Sequence, residues 1–151
     1  MEPLEFVQQE LESIRHIFDI QKELYPMIIL IKDDNRYQVP IVFHSSAQKD
    51  IVAQGIKDLV KKAKPDIVVY MAEAWVKFIR NKEDRLPAYT MDPNKMETLE
   101  VQIEFSTGEK YSCEAIIDRK PGHTRLLPFE ISNNDYIMGR FIDFFPIKRF
   151  N

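Results

Sequence analysis

Asp66-Ile67-Val68-Val69-Tyr70-Met71-Ala72-Glu73-Ala74-Trp75-Val76-Lys77-Phe78-Ile79-Arg80 is the stretch that decides the fold of this chain. It opens as a continuous apolar run rich in β-branched residues, as a strand buried on both faces requires. No breaker follows, so the run predicts one long strand to about Ile79. Helix formers from Ala72 to Lys82, with Trp75, Phe78 and Ile79 on one face, supply the competing reading of a helix over 72–82. One carboxylate, Glu73, enters the run two residues ahead of the only tryptophan, Trp75. A charge there must be paired, protonated or solvated at an edge, because desolvating it alone is costly.

On the N-terminal side, Leu4, Val7, Leu11, Ile14 and Phe18 recur every three or four residues and predict an amphipathic helix over 3–24, ended before Pro26. Its stripe packs on a sheet or pairs with the same helix of a second subunit. Met27–Ile31 and Tyr37–Phe43 read as a hairpin around Asp33-Asp34-Asn35, with Pro40 marking an edge strand or a bulge. Ser45 with Gln48, or Ser46 in its place, caps a helix predicted to bury Ile51, Val52, Ile56, Leu59, Val60 and Ala63 before Pro65. Gly55 weakens that helix and suggests close packing.

On the C-terminal side, residues 81–96 read as an irregular polar loop longer than ordinary connections, and such loops are either functional or mobile. Leu99, Val101, Ile103 and Phe105 then alternate with Glu100, Gln102 and Glu104, the clearest strand signal in the chain, with an outer face that reads as acidic. Tyr111, Cys113, Ala115 and Ile117 repeat the alternation after Thr107-Gly108-Glu109. Lys120-Pro121-Gly122-His123 turns into a last strand over 125–131, and Asn133 or Asn134 opens a final helix stopped by Pro146. The order is α-β-β-α-β-β-β-β-α. This is an α+β fold, a largely antiparallel sheet of five to six strands with helices covering one face. With 151 residues and no linker or repeat, the chain reads as a single domain over 1–151.

Net charge is −3, and acidic segments (1–23 and 81–118) alternate with basic ones (24–80 and 119–151). That argues against a whole-surface polyanion binder and leaves one local basic face open. A lone cysteine, an acidic N-terminal stretch and no apolar run of membrane-spanning length predict a cytoplasmic protein without a membrane segment.

Chemistry-bearing residues are few. His16, His44 and His123 lie apart from one another and from cysteine, so no structural metal is expected, and only a carboxylate site for Mg²⁺ stays open. With four glycines and no phosphate-binding motif, no cofactor is expected either. Cys113 falls on an apolar strand face and reads as core. His44-Ser45-Ser46 reads as a helix cap, or as an anion site at a strand-to-helix junction. Glu73 has two readings. As scaffold, it pairs with Lys77 or Arg80 at an edge. As a site at the sheet end, Glu73 is an acid/base or hydrogen-bond acceptor, Trp75 a stacking wall, and Tyr89 or Asp92 comes from the loop.

The order Glu73-Ala74-Trp75, Asp92-Pro93, then Glu97 leading an alternating strand resembles small prokaryotic and phage proteins of unassigned function. The resemblance covers residues 66–118 and implies one intact fold in a prokaryotic or phage setting. Three functional readings result. The first is a non-enzymatic binding or interaction module, a homo-oligomer with a dimer favoured, its ligand open. The second is an acid/base hydrolase-type enzyme centred on Glu73, assisted by His44, Asp92 or His123. The third is a nucleic-acid-binding protein using Lys57, Lys61 and Lys64 with the C-terminal Arg/Phe segment, which the acidic strand face disfavours.

Overall fold

A computed structural model describes residues 1–42, 44–77, 95–133 and 144–145. The predicted final helix and most of the predicted loop lie outside them. Helix α1 (Pro3–Gln21) starts with proline at its first turn, where a missing N–H costs nothing. It ends at Lys22, left-handed with φ 63°, whose N–H donates to the Phe18 carbonyl at 2.6 Å. Strands β1 (Met27–Lys32) and β2 (Asn35–Pro40) form a hairpin on a two-residue turn, with Asp33 left-handed at φ 53°. Helix α2 (Ser46–Ala63) is capped as the sequence predicts: the Gln48 N–H donates to Ser45 Oγ at 3.2 Å, and the His44 N–H donates to Gln48 Oε1 at 2.6 Å.

The deciding stretch is strand β3 (Ile67–Lys77), so the helical alternative for 72–82 does not hold over its described part. Strands β4 (Lys95–Phe105), β5 (Lys110–Lys120), β6 (His123–Leu126) and β7 (Glu130–Ser132) follow. The single strand expected over 125–131 is thus two, and both pair with β5. Pro128 sits in the break, where no ladder donor is needed. All pairings are antiparallel, in the order β2-β1-β3-β4-β5-β6, with β7 off that path.

Helices cover both faces of this sheet rather than one. α1 lays Val7, Leu11, Ile14 and Phe18 on Ile29, Ile31, Val69, Met71, Val101 and Ile103. α2 lays Ala53, Ile56 and Val60 on Ile28, Leu30 and Val68, with Phe144 beside them. The physical reason is the apolar run itself: strands apolar at every position expose one bare face unless each side has a cover. Two details of α2 differ from expectation. Ile51 and Leu59 are exposed and Ala53 is buried, because the helix turns its 53/56/60 stripe inward. Gly55 is exposed with open space around it, so close packing is not its role.

The acidic outer face of β4 is not a solvated surface. Glu104 is buried and accepts the Phe144 N–H at 3.0 Å, while Glu100 and Gln102 are half-buried. A row of carboxylates, Glu100–Glu114–Glu130, crosses β4, β5 and β7 in register on this face. Burial first, and then Glu114, raises the Glu100 carboxyl above the ordinary range. Burial first, and then Glu100, pushes the Tyr70 hydroxyl up to about 12.

Candidate functional site

Alternation along β3 puts Glu73 on the face that α1 covers, with Ile67, Val69 and Met71. The register sets Glu73 opposite Leu99 and Trp75 opposite Glu97. On β5, the series Tyr111, Cys113, Ala115, Ile117 continues to Arg119 on the same face. Three strands thus deliver two carboxylates and one guanidinium beneath the C-terminal end of α1.

Arg119 engages each of its nitrogens. Nε donates to both Glu97 oxygens at 2.9 and 2.8 Å, one terminal nitrogen to the Lys22 carbonyl at 2.7 Å, and the other to Glu73 Oε1 at 3.0 Å. The Leu24 N–H donates to the same Glu73 oxygen at 2.9 Å. The guanidinium carbon lies 5.9 Å from the Phe18 ring centroid, within cation–π range. Side-chain exposures of 34% for Arg119, 23% for Glu73 and 15% for Glu97 place the cluster at the solvent boundary of the core. Partial burial works against the charged guanidinium, but the hydrogen bonds and charges of Glu97 and Glu73 outweigh it and raise its pKa. The arrangement ties the helix end, where unsatisfied carbonyls attract a cation, to the sheet.

Glu73 is therefore partnered by Arg119 from across the sheet; the Lys77 side chain and Arg80, its partners in the scaffold reading, lie outside the described residues. Of the other expected site residues, the structure places His44 and His123 away from it. His44 precedes α2, which packs on the opposite face, and it is exposed. His123 is exposed and pairs with Lys120 across the β5–β6 turn, on the face away from Glu73. The Trp75 backbone lies opposite Glu97, and its side chain lies outside the described residues, as do Tyr89 and Asp92. Arg119 and Lys22 are the participants that sequence reasoning missed. The signal for Arg119 was there: two positions past Ile117, it continues the apolar series of its strand.

Cys113 is buried, and burial pushes its thiol up to about 12, as befits an inert core residue. Two further ion pairs or hydrogen bonds tie α1 down along its length. Arg36 forks onto both oxygens of buried Glu10, and Arg15 donates to the carbonyls of Leu126 at 2.5 Å and Leu127 at 2.6 Å. Among the described residues, no helix is long and apolar enough to cross a membrane.

Fold and cluster together define an α+β protein in which an arginine at the edge of the core clamps the end of the first helix to the sheet. The chain belongs to the bacteriophage lambda protein ea47 family, whose model matches residues 2–147. That membership agrees with the resemblance to small phage proteins. Searches of curated proteins and of solved structures gave no match.

Proposed function

We propose that this phage-family protein is a non-enzymatic binding or interaction module that acts in the cytoplasm and self-associates, most simply as a dimer. One observation carries the reading. Glu73, on which an acid/base mechanism depends, commits Oε1 to the Leu24 N–H and to Arg119 within the scaffold. Acid/base work needs a carboxyl free to reach a substrate, whereas two scaffold donors already hold this one. Of its expected helpers, His44 and His123 belong to the opposite face of the sheet, and Asp92 lies outside the described residues.

Self-association is supported by large apolar side chains left at the surface, among them Ile17, Ile20, Tyr25, Tyr37, Val42 and Ile51. Light scattering after size exclusion, over a concentration series to tens of micromolar, tests it. A mass rising to twice the chain's 17.9 kDa is expected. A constant monomer mass across the series overturns the self-association half of the reading.

A further inference from the structure

We infer that the partner recognised by strand β2 is a second copy of this chain, joined β2 to β2 about a two-fold axis through Tyr37; this rests on the self-association proposed above. Among the described residues, β2 ends the sheet and has a strand partner on one side only. A two-residue hairpin makes its closing pair, Lys32↔Asn35, a hydrogen-bonded one, and such pairs recur every second residue. The Ile41 N–H donating to the Pro26 carbonyl at 3.1 Å confirms that phase. Asn35, Tyr37 and Val39 therefore spend their backbone groups on β1, and Arg36, Gln38 and Pro40 turn theirs outward.

Such an edge is a template for another strand unless charge or proline blocks it. Among the described residues, nothing covers the outward run between the turn and Pro40. Its single charge, Arg36, is drawn back onto Glu10 of α1. The remaining residues of β2 are uncharged.

The outward positions select one antiparallel register. Pairing Arg36 with Arg36 sets like charges opposite each other. Pairing Gln38 with Gln38 sets Arg36 against Pro40, which has no N–H to give. Pairing Arg36 with Gln38 in both directions avoids both faults, and each pair exchanges its N–H and C=O groups in full. Tyr37, 58% exposed, then meets its symmetry mate at the close, non-hydrogen-bonded position on the α2 face. On the other face, Ile17 (42% exposed) shares the helical stripe of Glu10, seven residues earlier, and Ile20 (70% exposed) lies one turn on. Glu10 reaches β2, so this flank of α1 is turned toward the joining edge and toward the other copy's α1.

The full chain is tested by light scattering after size exclusion and by oxidative cross-linking. Gln38→Pro removes one outward N–H and no bond to β1, so the expected mass halves to that of the monomer with an unchanged circular-dichroism spectrum. Gln38→Ala keeps the backbone donor and stays dimeric. Tyr37→Cys places two thiols opposite each other on the axis and cross-links to a disulfide dimer on air oxidation, whereas Gln38→Cys is offset by two residues and does not. The cross-linking arm needs no folded Gln38→Pro protein. A parent dimer in which Gln38→Pro remains dimeric, or Tyr37→Cys fails to cross-link, overturns this interface and leaves self-association standing. A monomeric parent overturns both.

Discussion

Replacing Arg119 with methionine removes the guanidinium while keeping most of the side chain's length. Four groups lose a contact: the carboxylates of Glu97 and Glu73, the Lys22 carbonyl and the Phe18 ring, with Glu73 keeping the Leu24 N–H. Charge-assisted hydrogen bonds contribute about 1.5–3 kcal/mol when desolvated. Arg119 is a third exposed, so solvent screening brings each of the three hydrogen-bonded partners to roughly 1 kcal/mol or less. The expected loss is about 2–3 kcal/mol, or on the order of 5–10 °C in Tm for a chain of this length. Urea unfolding followed by far-UV circular dichroism reads it. Arg119→Lys should recover little, because a single ammonium cannot reach groups lying in different directions from a planar fork. In a double-mutant cycle, Arg119→Met with Glu73→Gln should show a coupling of at least about 0.5 kcal/mol. A loss for Arg119→Met below about 0.5 kcal/mol, the range of ordinary surface changes, would refute the clamp.

Arg36→Met leaves the buried Glu10 carboxylate without its fork and should cost about 2–3 kcal/mol in the same urea assay, at or below the range for breaking a buried pair because Arg36 is itself partly exposed. Glu100 titrates with the opposite sign to most carboxylates: its folded pKa lies above the unfolded value, so its contribution is full in acid and fades as pH rises through the folded pKa. Glu100→Gln should therefore gain in Tm over the parent as pH is raised from 4.5 toward neutrality, and a gap that stays constant or shrinks contradicts this. Gly55→Ala meets open space on a regular helix and should raise stability by about 1 kcal/mol. A loss on thermal melting would show a contact that the exposed position does not offer.

Elements with a strong period were legible in the sequence. The α1 stripe, the Ser45 cap and the β4 and β5 alternations are local patterns, each written within a dozen or so residues. What was not legible depended on distance. The sequence says that Glu73 needs a partner but not that Arg119, 46 residues away, supplies it. Ile51 looked like core because its chemistry is apolar, yet the phase of α2 is set by where the sheet lies. Helices on one face was the expectation of a half-polar antiparallel sheet. The unbroken apolar character of β1 and β3 argued for two covers, and the structure has them. Glu100 and Glu104 looked solvated for the same reason: alternation gives the face a residue occupies, not whether that face is covered.

The ties on α1 also set an order of events. Its carbonyl at Lys22 waits for a side chain 97 residues later, and Arg15 waits for carbonyls more than a hundred residues on. At about 5–20 residues per second of synthesis, the helix emerges roughly 5–20 s before β5 can hold it. Until β1, β3 and β4 have been made, Val7, Leu11, Ile14 and Phe18 form an apolar stripe with no complete sheet beneath it. The growing chain thus presents its first helix as a sticky, undocked segment while β3 and β4 are still being made, and any holding factor in the cell meets the protein there first.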